Sequence, residues 1–510
     1  MVFGHRQLAR NIFSSWATHG LRIIIAFFFI PFITSVLGDD RYGVWVILFQ
    51  TINYFSLLDF GLEKAVIRYL SKFLSQRDFL NINRVLNTAW LTYLIVGTVI
   101  IAGVWLTAIF LFDYFKIGDA ALLEEGRNAL IIVGFYLGLR FYLLPFGDSL
   151  GGFQRYDAAN AVYIVEEIIR VLVMVWLLAN GYGLAWLALA ILVVSLLRQI
   201  VTICWLKRLF PPVTMSLKNA SRKTASDLFG YSRISFGITL AWLVIFNTDA
   251  ILLGLLASTA AAGIYAPAAQ LMLLFRNIVN SVGSPLTSAV SHWESTRDPE
   301  IVQQVYLKGI RYTSYLSFFI TVGVIFWVKP FVALWLIPEF AAAANVMIIL
   351  SVSSAFFIPQ IIGNAVLFGI DKHRYLLYVL IGEASLKILL SVFLIRSYGI
   401  TGMALAAAIP QLLLYTTLYP YLMSKAIDVP FGSIVRRSIL SGLLAICICT
   451  PVAFLITNLL PPMNWLNFFA GVLLLTAVTV TGGYLILEPT DRTRLKRFVL
   501  REGADTEKNR

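Results

Sequence analysis

The sequence predicts an all-α polytopic membrane protein of about 14 transmembrane helices, arranged as two pseudo-symmetric six-helix lobes around a central cleft with two additional C-terminal helices. Three observations predict it. Hydrophobic residues make up 59% of the 510 positions and charged residues only 13%, a balance that water-soluble domains do not show. Apolar runs of roughly 20 residues, the length that crosses a hydrocarbon core of about 30 Å, recur from one end of the chain to the other and leave no room for a soluble domain. The chain also matches itself at a fixed offset, as duplicated chains do.

The spans fall at 11–36, 41–63, 86–112, 127–147, 158–179, 184–206, 228–256, 260–291, 305–328, 340–369, 374–396, 399–424, 434–459 and 464–487. The first follows Arg6 and Arg10, is too long for the apolar core of a signal peptide and lacks a small-residue cleavage site, so it is expected to stay as an uncleaved anchor. Between the second and third, Lys64, Arg68 and Lys72 recur every fourth residue beside Ile67, Tyr69, Leu70 and Phe73, the pattern of a helix lying at the membrane surface against anionic headgroups. The alternative for this stretch is a plain extension of the second span. Pro31, Pro267, Pro359 and Pro410 lie inside spans, where kinks are tolerated and hinges can form. Cys204, Cys447 and Cys449 fall in spans without disulfide or metal spacing and read as small buried apolar residues, and the four histidines are scattered.

A net charge of +13 in a soluble protein suggests nucleic acid; here its distribution points to topology instead. Lys and Arg crowd alternate loops, including 64–84, 207–223 and the tail, whereas the opposite side carries only Arg41, Lys116, Arg127, Lys329 and Arg396. The positive-inside rule therefore puts both termini in the cytoplasm, in agreement with an even number of crossings.

The duplication shows at two places. A shift of 220 residues puts Gly43-Val44-Trp45 on Gly263-Ile264-Tyr265 and Gln50 on Gln270, and a shift of 216 puts "YGLAWLALA" (Tyr182 to Ala190) on "YGITGMALA" (Tyr398 to Ala406) and Glu167 on Glu383. Spans 1–6 recur as spans 7–12 in the same orientation, so the copies are related by an axis along the membrane normal. The predicted organisation is an N-terminal lobe at 1–210, a C-terminal lobe at 211–430, two added helices at 431–490 and a cytoplasmic tail at 491–510.

Ionisable residues inside a bilayer cost at least about 2.5 kcal/mol each and face protein or a wet cavity. The spans hold Arg22, Arg140, Arg170, Arg198, Arg233, Arg276 and Lys387 against Glu166, Glu167, Asp249 and Glu383, a net positive interior. Glu167 precedes Arg170 by three residues and Glu383 precedes Lys387 by four, so each lobe is expected to carry a carboxylate–cation pair on one helix face. Such a pair either fixes packing or lines the cleft. Arg22, with Ser15 and His19 along the same face, and Arg276 have no acidic residue one turn away and are the first candidates for an anion site. Arg140, Arg198 and Arg233 lie nearer span ends and are expected to snorkel. Asp249, in "FNTDAILLG", reads as a lone intramembrane carboxylate that binds a proton or Na⁺ or caps a helix break.

No phosphate loop, nucleotide-binding segment, nucleophile–base pair or cofactor signature stands out, which favours a secondary transporter without cofactors over an enzyme. The stretch "FIPFITSVLGDDRYGVWVILFQTINYFSLLDFGLEKAVIRYLSK" (Phe29 to Lys72) then resembles the opening of bacterial polysaccharide-unit flippases of the multidrug/oligosaccharidyl-lipid/polysaccharide exporter superfamily. The residues that carry the resemblance are Pro31, Leu37, Gly38, Tyr42, Gly43 and Trp45, followed by Asp59, Gly61, Leu62, Arg68 and Lys72. Asp249, Gly263, Tyr265 and Ala268 resemble the family's seventh-to-eighth helix region. The resemblance implies a V of two lobes in the bacterial inner membrane, and alternating access for a polyprenyl-pyrophosphate-linked oligosaccharide moving from the inner to the outer leaflet. The lipid II flippases of the superfamily also have two helices beyond twelve, associated with a groove for the lipid tail.

The leading expectation is thus a lipid-linked oligosaccharide flippase for exopolysaccharide, capsule or O-antigen assembly. Arg22, Arg276, Arg170 and Lys387 would bind the pyrophosphate, while Glu167, Glu383 and Asp249 would balance charge or couple to H⁺ or Na⁺. The expected partners are the lipid-linked substrate, membrane lipids and a polysaccharide polymerase, with no nucleic acid. The alternatives are a cation-coupled small-molecule exporter of the same superfamily, for which a net positive cavity is unfavourable, a lipid II flippase, and a polysaccharide polymerase or ligase, against which the short external loops argue.

Overall fold

The protein is described by a computed structural model over residues 5–153, 155–229, 233–295, 298–486 and 492. Among these residues it is helical throughout, without strands, because a backbone inside hydrocarbon must satisfy its hydrogen bonds within its own segment. Two compact units divide the chain, Met1–Pro267 with Leu336–Phe340 and Leu380–Ala406, and Ala268–Trp335 with Ala341–Val379 and Ala407–Arg510.

The first unit opens with α1 (His5–Phe55), which merges the first two expected spans. Its break is at Gly38, with φ 71° and ψ −175°, and not at Pro31, which lies inside the helix. A left-handed φ is open to glycine without a Cβ penalty, so one residue turns the chain at this point. The second span ends earlier than expected. A short 3₁₀ turn, Ser56–Asp59, leads to Phe60 and Gly61, both with positive φ, and these separate α1 from α2 (Leu62–Ser75). Helix α2 buries Leu62, Ala65, Val66 and Leu70 and exposes Lys64, Arg68 and Lys72. It lies outside the segments apolar enough to cross a membrane and is the separate amphipathic helix that the four-residue spacing predicts.

Helices α3 (Phe79–Leu106), α4 (Ala120–Gly147), α5 (Tyr156–Ala179) and α6 (Leu184–Leu209) overlap the third to sixth spans, the first two beginning seven residues earlier than expected. Helix α4 packs on α3 and α6, and α5 packs on α1 and α6. After the short α7 (Arg222–Phe229), the seventh span is divided into α8 (Arg233–Asn247) and α9 (Asp249–Leu256), bent by 48° at Thr248. Helix α10 (Thr259–Ser295) begins in this unit.

The start of α10 meets α1 backbone to backbone. A Cβ built on Gly43 would collide with the Thr259 carbonyl and lie 3.1 Å from the Gly263 nitrogen; one built on Gly263 would collide with the Asp39 carbonyl and lie 3.0 Å from the Gly43 nitrogen. Positions 39 and 43 map onto 259 and 263 at the offset of 220, so each member of a repeat pair touches the counterpart of the other. Reciprocal contact of this kind is what a local two-fold axis produces.

The second unit contains α11 (Pro299–Trp335), then α12 (Ala343–Phe357) and α13 (Ile361–Gly369) on either side of a 3₁₀ turn that contains Pro359. Helix α14 (Arg374–Thr416) merges two expected spans across Gly399, with φ 55°, and not at Pro410; residues Leu380–Ala406 of it belong to the first unit. It is followed by α15 (Leu418–Ile427), α16 (Phe431–Leu459) and α17 (Trp465–Ile486). The last two pack on α11: Val322 and Trp327 meet Cys449, Ala453, Ile456 and Leu475, and Trp327 Nε1 donates to Thr457 Oγ1 at 3.0 Å.

Among the described residues nine helical segments are long and apolar enough to cross a membrane, ten if α8 and α9 form one broken span. Two of them, Gly20–Asp59 and Arg374–Ile427, have 40 and 54 residues, enough for two crossings at 1.5 Å per residue. Helix α5 is not among the nine because Asp157, Glu166, Glu167 and Arg170 interrupt it. The tail expected at 491–510 lies outside the described residues except for 492. Cys449 is buried as expected, whereas Cys204 and Cys447 are exposed, since an apolar thiol is equally at home facing lipid.

Candidate functional site

Two clusters of charge lie inside membrane helices of the first unit. The first is built on α5, where Tyr163, Glu167 and Arg170 follow one another at spacings of four and three and share a helix face. Arg170 pairs with Glu167 and lies 3.9 Å from Glu166. Glu166 faces α6, where it accepts the Ser195 hydroxyl at 2.6 Å and meets Arg198 Nε at 2.9 Å. That last contact is an ion pair whose angle falls outside hydrogen-bond geometry. Arg198 also donates to Asp148 at 2.9 Å, and Arg140 reaches the other oxygen of Asp148 at 3.4 Å.

The result is a row of alternating charges, Arg140–Asp148–Arg198–Glu166–Arg170–Glu167, that is neutral as a whole. Arg140 and Arg198, expected to snorkel, both pair with the Asp148 carboxylate at the end of α4, which offsets the cost of an unpaired guanidinium. The side chain of Arg233 lies outside the described residues.

Arg22 stands beside this row. It is exposed on α1, its Nε donates to the Tyr163 hydroxyl at 2.9 Å, and its guanidinium carbon lies 4.4 Å from the Tyr163 ring centroid. Tyr163 orients the cation without neutralising it. The remaining N–H donors of a guanidinium suit a phosphate oxygen pair. Ser15 and His19, expected on the same face, have side chains outside the described residues.

The second cluster is built on the break between α8 and α9. Asp249 opens α9, and its carboxylate accepts the Tyr265 hydroxyl at 2.9 Å and the ammonium of Lys387 from α14. Lys387 also donates to the carbonyl of Ile245, in the last turn of α8, where carbonyls lack partners within the helix. Lys387 is 2% exposed, Asp249 6% and Tyr265 1%. Helix α1 ties the break in place: Gln50 accepts the Ala250 N–H at 2.9 Å, Asn53 donates to Asn247 at 3.0 Å, and Tyr54 bonds to Thr248.

Asp249 is therefore not the lone carboxylate expected, because a lysine from a distant helix satisfies it. Lys387 has a partner that its i,i+4 relation to Glu383 does not reveal. Glu383 is buried on α14, one turn before Lys387. Arg276 is half-buried on α10 in the second unit. The structure thus sets Arg22 against Tyr163, on the face of α5 that carries Glu167 and Arg170, and Lys387 against Asp249. Tyr163 was legible as a member of the Glu167–Arg170 face and Tyr265 through the resemblance that it shares with Asp249; Asp148 and Ser195 had no local signal. No cluster of metal-ligating side chains occurs among the described residues.

A family model described as polysaccharide biosynthesis protein matches residues 8–290. The probable low-salt glycan biosynthesis flippase Agl15 of Haloferax volcanii is 22% identical over 503 residues, 97% of this chain and 99% of that one. The uncharacterized membrane protein EpsK of Bacillus subtilis (strain 168) is 24% identical over 407 residues, 78% of this chain and 80% of its own. Among solved structures, the lipid II flippase MurJ in an inward closed conformation matches with a TM-score of 0.71 at 14% identity, over 93% of this chain and 98% of its own. An inward-facing MATE transporter of the MOP superfamily matches with a TM-score of 0.64 at 14% identity, over 79% of this chain and 94% of its own. At such identities the structural matches establish the shared fold, and the polysaccharide biosynthesis family expected from Phe29 to Lys72 and from Asp249 to Ala268 is borne out by the family model, which spans both stretches.

Proposed function

The chain belongs to the polysaccharide biosynthesis protein family, and from that premise we propose that it flips polyprenyl-pyrophosphate-linked oligosaccharide units from the inner to the outer leaflet. The family and the fold support a flippase or transporter role in a multi-pass membrane protein; the substrate, the direction and the bacterial cytoplasmic membrane are our reading. The observation that carries it is Arg22, an exposed guanidinium in a membrane helix that Tyr163 holds without cancelling its charge. A pyrophosphate crossing a bilayer needs such a cation, and a cationic drug does not.

In this reading Arg22 and Arg276 receive the pyrophosphate, and Arg170 and Lys387 are drawn on when their carboxylates release them. Glu167, Glu383 and Asp249 balance those charges, and a proton or Na⁺ taken up by one of them couples transport to an ion gradient. Two lobes of six helices, 1–210 and 211–430, alternate in access, with the helices of 431–490 added to them. Both termini face the cytoplasm, and a polymerase on the far side consumes the product.

The reading is tested in cells. A strain lacking the gene is expected to accumulate the lipid-linked unit on the cytoplasmic face, inaccessible to an added glycosidase. Normal lipid-linked pools together with hypersensitivity to cationic drugs would point to the small-molecule exporter instead.

A further inference from the structure

Away from both charge clusters, a cavity of about 250 Å³ opens between α2, the start of α3 and α7. A single water needs about 10–15 Å³ on this measure, so the space admits a polyatomic group with its hydration. One wall is aromatic: Tyr69 and Phe73 of α2 stack with centroids 6.2 Å apart. The other walls are polar and cationic, with Asn81 and Arg84 from α3, Ser221 just before α7, and Lys223, Thr224 and Asp227 from α7. At the rim the Lys72 ammonium lies 5.7 Å from the Phe73 ring centroid.

These walls are built rather than incidental. The segment that leads into α7 is stitched to α3 by three side chains acting on its backbone. Asn83 donates to the Pro212 carbonyl at 2.9 Å and accepts the Thr214 N–H at 2.8 Å. Asn87 donates to the Thr214 carbonyl at 2.8 Å and accepts the Ser216 N–H at 2.7 Å, and Thr88 accepts the Ser221 N–H at 2.9 Å. On the opposite side, Asp78 caps α3 through the Asn81 N–H at 3.0 Å and holds the Asn81 amide, whose oxygen accepts from Arg84 at 3.3 Å. Asn81, Arg84 and the backbone of Ser221 are thus held around the space, with Lys223 and Thr224 on the first turn of α7 beside them.

We propose that this cavity is a binding site for the phosphate of an anionic phospholipid headgroup. Arg84 and Lys223 supply the charge, Ser221 and Thr224 the neutral donors, and Asp227 tempers the site so that it releases its ligand. The lipid source follows from α2, an amphipathic helix outside the crossing segments whose exposed Lys64 and Lys72 lie where headgroups do. The aromatic wall suits the glycerol and upper acyl carbons below the phosphate. The site is independent of the transported substrate.

The test uses the full-length protein, delipidated in detergent, with phosphatidylglycerol or inorganic phosphate titrated in and followed by native mass spectrometry. Arg84→Gln with Lys223→Gln is expected to weaken the first phosphatidylglycerol bound by about tenfold, as loss of charge-assisted hydrogen bonds does, while Asp227→Asn tightens it. Arg84, Lys223 and Asp227 are exposed, so these variants keep the fold. Unchanged lipid affinity in both variants would overturn the site. Inorganic phosphate binding that depends on Arg84 and Lys223, with lipid binding that does not, would overturn the lipid assignment.

Discussion

The ammonium of Lys387 on α14 lies against the carboxylate of Asp249 at the head of α9, although 138 residues separate them in the chain. Both side chains are buried, and the carbonyl of Ile245 at the broken end of α8 completes the lysine's partners. The pair occupies the one place where the seventh span bends, so its state and the bend are linked.

Removing one member of a buried pair strands the other. Lys387→Met is expected to cost about 3–5 kcal/mol, and adding Asp249→Leu to recover most of it. Thermal unfolding of the single and double variants in detergent gives the coupling. Additive losses would show that the two groups do not depend on each other.

The alternating row predicts unequal arginines. Arg198 bridges Glu166 and Asp148 while 14% exposed, whereas Arg140 is 32% exposed and forms its ion pair with Asp148 at 3.4 Å. Arg198→Leu is expected to cost about 3–5 kcal/mol and Arg140→Leu about 1 kcal/mol or less. Equal losses in denaturant titrations would contradict the row as drawn.

Gly43 and Gly263 leave no room for a methyl group between α1 and α10. Gly43→Ala and Gly263→Ala are each expected to destabilise by about 1–3 kcal/mol or more, the cost of overpacking. Because each methyl would strike the other helix's backbone in the mirrored position, the two losses should be similar. Size-exclusion profiles after a temperature series measure this, and a neutral outcome at either site would mean that the helices separate freely there.

Glu63, on the amphipathic α2, has its carboxyl raised above its ordinary 4.5 by burial and by the carboxylates of Asp148 and Asp59, with Arg140 and Lys64 opposing. The folded state therefore keeps the proton to a higher pH than the unfolded chain does. Its contribution to stability is full below about pH 4.5 and declines as the pH rises through the folded value. Glu63→Gln is expected to be more stable than wild type at pH 8, with the gap closing toward pH 5. A pH-independent gap would remove Glu63 as its cause.

What the sequence made legible was local. Glu167 and Arg170 are three residues apart and pair as their spacing predicts, and α2 is a separate amphipathic helix where Lys64, Arg68 and Lys72 mark one. The ends of helices were less legible, because Gly38 and Gly399 turn the chain through backbone conformation while the prolines beside them do not. Long-range partners were not legible at all. Glu383 is the nearer carboxylate to Lys387 in sequence, but the break at Thr248 brings Asp249 to it, and nothing local to Arg198 announces Asp148.

The central claim rests on Arg22, held by Tyr163 with its charge intact. The most direct measurement is translocation of a fluorescent polyprenyl-pyrophosphate oligosaccharide in proteoliposomes, comparing wild type with Arg22→Ala and Arg22→Lys at matched folded amounts. The account predicts flipping by wild type, a loss of about tenfold or more in Arg22→Ala, and partial activity in Arg22→Lys, which keeps the charge but loses the planar fork. Flipping that is undiminished in Arg22→Ala, or absent from folded wild type, would contradict it.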